Sequence, residues 1–96
     1  MEGTGDVISI GIAEGKQIGK VSHFFPRISV AVIEPGEVLK VGDVIRITGK
    51  GGRIDFTQKV ESMQLEHEQI NEARPGKSIG LKVNEEVREG CSVFKL

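Results

Sequence analysis

Ninety-six residues suffice for one hydrophobic core and exclude a core with a separate catalytic lobe. An apolar share of 38% and a sign-balanced charged share of 28%, net -1, exclude disorder and a protein that coats nucleic acid through bulk positive charge. The longest uninterrupted apolar run is Val30 to Ile33, against the roughly 20 residues that span a bilayer, so no membrane partner is expected.

Thirteen glycines against three prolines and four phenylalanines suit a small barrel with many tight turns better than a helical bundle. Charge is unevenly spread: Lys16 to Lys59 holds eight basic and four acidic residues, and Val60 to Leu96 holds five and seven. One half of the molecule therefore presents a mildly positive face. The single Cys91 rules out an internal disulfide and fits a reducing compartment, which makes the cytoplasm the expected location. The opening Met-Glu-Gly-Thr-Gly-Asp has neither the basic nor the apolar region of a secretion signal.

In chain order, residues 1 to 6 read as a loose terminus, and Val7 to Ile12 as an extra strand with Ile8, Ile10 and Ile12 on one face. Ile18 to Phe25 is the next strand, with Val21 and either Phe24 or Phe25 inward; Pro26 ends it, and Ile28, Val30 and Val32 resume the alternation. Glu34-Pro35-Gly36-Glu37 reads as a type II turn.

The segment Leu39 to Ile47 is the organising element: a Gly42-Asp43 turn feeds the β-branched run Val44, Ile45, Ile47. Gly42 supplies positive φ, and Asp43 is expected to bond its own downstream amides. Thr48 to Arg53 is a glycine-rich hairpin tip with two cations. Phe56 to Leu65 has strand residues at both ends, and its alternation drifts at Ser62-Met63, the mark of a bulge or bend. Glu66 to Glu72 reads as a strand end or one helical turn. Arg74-Pro75-Gly76-Lys77 is a second type II signal, after which Ile79, Leu81 and Val83 alternate; Asn84 to Gly90 is a charged loop or short helical turn, and Cys91 to Leu96 closes the chain as a strand.

About seven short strands with turns every eight to twelve residues predict an all-β fold, a small antiparallel closed β-barrel. Four segments in order, Leu39-Lys40-Val41-Gly42-Asp43-Val44-Ile45, Val60-Glu61-Ser62-Met63, Ala73-Arg74-Pro75-Gly76 with Ile79-Gly80-Leu81, and Val87-Arg88-Glu89-Gly90, resemble the second domain of translational GTPases such as elongation factor Tu. The likeness extends to free-standing translation elongation factor-like proteins. Similar barrels are also appended to collagenase-like peptidases, some of them associated with RNA hydroxylation. The resemblance implies a translation-factor barrel over residues 17–96, with 1–16 as an N-terminal extension. It does not carry GTP binding. In Gly15-Lys16-Gln17 and Gly19-Lys20-Val21 the glycine spacing is one residue short of a P-loop and no Ser or Thr follows the lysine. Cys91 stands where the family often has Asp.

Neither catalysis nor a cofactor is expected. His23, His67 and Cys91 are scattered singly instead of in the close pairs of a zinc site, so no metal is predicted. His67 lies between Glu66 and Glu68, which would favour a general base, but no nucleophile is identifiable beside it, and a solvated polar segment is the plainer reading. Cys91 near Arg88 reads as a half-buried small hydrophobe at a strand start more readily than as a reactive thiolate. Lys50, Arg53 and Lys59 on or near the glycine-rich tip, and Lys20, His23 and Arg27 around another turn, would contact a phosphate backbone if both turns share one rim. Phe24 is added as a base-stacking candidate. The expected function is a non-catalytic module contacting tRNA or the ribosome. The alternative is a protein docking module or an accessory subunit of a separately encoded enzyme, for example a collagenase-like peptidase or RNA hydroxylation protein.

Overall fold

The computed structural model describes residues 15–96; Val7 to Ile12, expected as an extra strand, lie outside the described residues. Ten strands follow: β1 (Lys16–Phe25), β2 (Val30–Ile33), β3 (Leu39–Lys40), β4 (Val44–Gly49), β5 (Ile54–Lys59), β6 (Met63–Leu65), β7 (Glu68–Ile70), β8 (Glu72–Ala73), β9 (Ile79–Lys82) and β10 (Ser92–Lys95). A 3-10 turn, Lys50–Gly52, joins β4 to β5. Among the described residues no helix is long and apolar enough to cross a membrane.

Gly42 holds φ at 102°, and Asp43 donates its amide to the Lys40 carbonyl at 3.0 Å, so the central turn closes as a type II turn does. The Asp43 carboxylate accepts from the Lys40 amide upstream, at 2.8 Å, and not from a downstream amide as expected. Val60 clamps this turn from the far end of β5: its amide donates to the Asp43 carbonyl and its carbonyl accepts from the Gly42 amide, both at 2.8 Å.

Eight strands form one antiparallel sheet in the order β5-β4-β10-β1-β2-β9-β6-β7, and β3 pairs with β8 separately. The sheet is not closed into a barrel, which corrects the closed-barrel expectation. The physical reason lies at Val60. There the chain leaves β5 to clamp the Gly42 turn, so β5 ends at Lys59 without a ladder to β9 or β6. The Gln58 side chain reaches across instead, Nε2 donating to the Lys82 carbonyl at 2.9 Å and Oε1 accepting from the Asn84 amide at 2.7 Å.

The core is aliphatic. Ile33, Leu39, Ile45, Ile47, Met63, Leu81 and Val93 are fully buried, and each such side chain contributes about 1.5–3 kcal/mol relative to exposure. Alternation holds along β4 and β9, where Ile45 and Ile47, and Ile79, Leu81 and the following Val83, face inward. It fails along β1, whose buried residues Ile18 and Val21 are three apart. A bulge accounts for that spacing, the register shifting between Val93 and Phe94 opposite Gly19 and Gln17 so that Ile18 is the extra residue; a second, between Val21 and His23 opposite Ile33 and Val32, follows it. In β2 the buried face is Ala31 and Ile33, with Val30 and Val32 half-buried and Ile28 exposed. The expected face was thus the opposite one, because the turn over residues 26–29, with Ser29 at φ 55°, resets the phase.

Two further turns differ from expectation. Gly36 does not take positive φ, so the chain bends at Gly36-Glu37 without a type II turn; Pro35 is buried and the Gly36 amide donates to the Ile18 carbonyl at 2.6 Å. Glu66-His67 is neither a strand end nor a helical turn but the two-residue loop of the β6–β7 hairpin, with φ of 52° and 69°, the left-handed pair of a type I′ turn. Gly76, at φ 93°, does take the conformation expected of its Pro-Gly turn.

Candidate functional site: a groove at the hairpin tip

Ser92 of β10 pairs with Thr48 of β4 on one side and Lys20 of β1 on the other. The loop that precedes β10 therefore enters between the β4–β5 tip and the C-terminal half of β1. Backbone bonds fasten it there. The Val21 amide donates to the Cys91 carbonyl and the Gly90 amide to the Val21 carbonyl, both at 2.8 Å, and the Cys91 amide donates to the Arg88 carbonyl at 3.1 Å. Gly49 lets the two elements touch: its backbone is fully extended, and a Cβ there would sit 2.5 Å from the Cys91 sulfur.

Two open hollows result. One, of about 300 Å³, is lined by Lys50, Arg53, Ile54, Glu86 and Arg88. The other, of about 430 Å³, is lined by Phe24, Lys50, Val87, Arg88 and Glu89. Lys50 and Arg88 line both, so the hollows form one trough. Phe24 and Ile54, partly buried and packed against the core, give it apolar walls. The bulge in β1 re-aims the residues after Val21: His23 Nδ1 lies 3.2 Å from the Glu89 carboxylate, and its ring stacks edge-on against Phe25, centroids 4.4 Å apart.

Of the residues singled out in the sequence, Phe24, Lys50 and Arg53 line the trough, and His23 reaches it through Glu89. Lys20 and Arg27 are exposed on β1 and on the turn after it and line neither hollow. Lys59 does not sit at the tip. It pairs with Val44 at the base of the hairpin, whereas the tip-proximal pair is Gly49 and Ile54; five residue steps of about 3.3 Å each separate the two ends. Arg88 was missed as a site residue. The signal for it was the isolated apolar Val87 in a charged loop: Val87 is fully buried, which anchors the loop and holds its neighbour at the trough.

Charge in the trough is partly self-compensated. Arg88 lies 3.7 Å from Glu86, and Glu89 faces His23. Lys50 and Arg53 have no ion pair among the described residues. Beneath the tip, Arg46 donates through Nε and a terminal nitrogen to both oxygens of Asp55, each at 2.8 Å. The guanidinium's hydrogen bonds hold the Asp55 carboxyl below its ordinary pKa.

Cys91 is buried, its sulfur accepting from the Arg88 amide at 3.4 Å, and His67 is exposed in the β6–β7 turn. Among the described residues no three His, Cys, Asp or Glu side chains form a group that could hold a metal. The trough offers cationic donors beside apolar walls, an arrangement for binding.

The chain is 42% identical over 81 residues to an uncharacterised protease of Methanocaldococcus jannaschii, covering 83% of this chain and 19% of that protein. It is 36% identical over 80 residues to a collagenase of Porphyromonas gingivalis, 81% of this chain and 22% of the relative. The chain thus spans about a fifth of the length of the curated relatives it matches.

In fold it is similar to the C-terminal domain of a Geobacillus thermoleovorans protein assigned to the U32 peptidases. The TM-score is 0.76 at 22% identity, with 83% of this chain and 99% of that one covered; a second structure of the same domain also scores 0.76, covering 84% and 92%. No protein-family model matches the chain. These findings correct the translation-factor resemblance and the tRNA- or ribosome-binding function drawn from it. The relatives are a protease and collagenases, and the fold resembles the C-terminal domain of the Geobacillus thermoleovorans protein.

Proposed function

We infer that the chain is a non-catalytic β-domain that serves a U32-type peptidase region as a docking accessory, whether that region lies in the same polypeptide or a separate one. The observation that carries this is the match itself. Most of this chain aligns with a segment only about a fifth as long as a protease and a collagenase, so the greater part of each relative lies outside the shared domain.

The site chemistry supports the same reading. The trough sets cations beside apolar walls, the sulfur of Cys91 is buried, and the His23 ring is engaged by Glu89 and Phe25. An unpaired, buried cysteine suits a reducing compartment, and we place the domain in the cytoplasm.

Fluorescent gelatin tests the proposal. The purified chain alone is expected to leave it intact, and the chain added to a U32-type peptidase region lacking this domain is expected to raise turnover at limiting substrate. Gelatin cleavage by the chain alone, abolished by His23→Ala or Cys91→Ala, would replace docking with catalysis. Absence of any effect in trans or in fusion would remove the accessory role.

A further inference from the structure

The geometry points to a ligand for the trough: an extended peptide segment with carboxylates flanking an apolar side chain. That the ligand is a polypeptide follows from the docking reading above; that it carries carboxylates follows from the trough itself.

Complementarity of charge is the first ground. Both acids in the lining are already engaged, Glu86 near Arg88 at 3.7 Å and Glu89 near His23 at 3.2 Å. Lys50 and Arg53 have no ion pair among the described residues. Two cations with free donors, beside the apolar surfaces of Phe24 and Ile54, match an acidic and apolar partner. On an extended peptide, side chains on one face recur every second residue, about 6.6 Å apart. A chain laid along the trough presents the carboxylates of one face to Lys50 and Arg53, while the apolar side chains of the alternate face meet Ile54 in one hollow and Phe24 in the other.

The second ground is the backbone at Lys50. Residues 50, 51 and 52 all take positive φ, 52°, 64° and 96°. Glycine occupies 51 and 52, where that conformation is free of steric cost. At 50 a lysine stands in the same unfavourable region, a local strain that turn geometry alone would relieve with a third glycine. What the lysine adds is a cationic side chain on a residue that lines both hollows.

The test is an NMR titration of the full chain with an alternating glutamate–leucine hexapeptide blocked at both ends, and with its glutamine–leucine counterpart. The glutamate peptide is expected to bind, shifting the amides of Phe24, Lys50, Arg53 and Arg88. Lys50→Glu or Arg53→Glu is expected to weaken it about tenfold or more, whereas Lys59→Glu, the same charge change at the base of the hairpin, alters it less than about twofold. Lys50→Gly separates binding from folding: the thermal midpoint holds or rises while affinity falls.

Several results would overturn the assignment: equal binding of the glutamine peptide, an equal loss with Lys59→Glu, displacement by heparin at far lower concentration than by the peptide, or no binding at millimolar peptide. So would shifts centred on the other apolar hollow, lined in part by Leu65, Ile70, Pro75 and Ile79. Because the titration uses this chain alone, its failure removes the trough's ligand without touching the gelatin result, and the reverse also holds.

Discussion

The amide of Asn84 donates to Oε1 of Gln58 at 2.7 Å, tying edge strand β5 to the end of β9 across a seam that no strand ladder spans among the described residues. Gln58 is the buried polar residue of the core, and its Nε2 donates to the Lys82 carbonyl at 2.9 Å. One primary amide thus satisfies two backbone groups across the seam, besides donating to the adjacent Lys59 carbonyl at 3.3 Å. Gln58→Leu fills the same space and strands both, so it is expected to destabilise the fold by roughly 2 to 4 kcal/mol, read as a lower urea midpoint. Gln58→Glu sets a buried carboxylate oxygen against the Lys82 carbonyl, so near neutral pH it is expected to destabilise at least as much as Leu, and to recover as acid protonates it.

Gly49 and Cys91 define the contact that seats the closing loop. A Cβ at position 49 would meet the Cys91 sulfur at 2.5 Å and its Cα at 3.3 Å. Gly49→Ala is expected to cost about 1–3 kcal/mol through overpacking. Adding Cys91→Ala removes the obstructing sulfur, so denaturant melts of the four-member cycle should show a favourable coupling of about 1 kcal/mol or more.

Much of this architecture was legible in the residues. The β4–β5 hairpin followed from alternation around a glycine-rich tip, and the drift at Ser62-Met63 falls where the chain passes from β5 to β6. Less legible were features fixed by long-range context. The β1 bulges shift the buried face by a step that no local pattern records, and Glu66-His67 adopts a left-handed turn without the Asn-Gly signature. The translation-factor resemblance rested on turn segments, and Gly42, Gly76 and Gly90 do take positive φ. Such signatures specify how a chain bends, and any coiled antiparallel sheet reuses them; they carry no information about what the surface binds. The trough was only half legible, since Lys50 and Arg53 are local to one tip but Arg88 joins them through tertiary packing.

The Glu66-His67 loop offers a gain in stability. With φ of 52° and 69°, both positions favour residues that tolerate the left-handed region. Glu66→Asn with His67→Gly is expected to stabilise the domain by about 1 kcal/mol, visible as a higher thermal midpoint.

Asp55 sets a pH dependence. Its bidentate partner Arg46 depresses the folded-state pKa, so its contribution is present above the unfolded-state value and is lost as pH falls through the depressed folded value. The difference in thermal midpoint between wild type and Asp55→Asn should be largest near neutral pH and vanish in acid. A difference that grows on acidification would place the dependence elsewhere.

The accessory role is tested most directly by replacement within the Porphyromonas gingivalis collagenase. The 80-residue segment that aligns with this chain is deleted in one variant and exchanged for the present sequence in another, and collagen turnover of the two is compared with that of the parent. Loss of turnover on deletion with recovery in the exchange is the predicted result. Full activity of the deletion variant, or an exchange variant no better than the deletion, would contradict a domain that docks for its peptidase region.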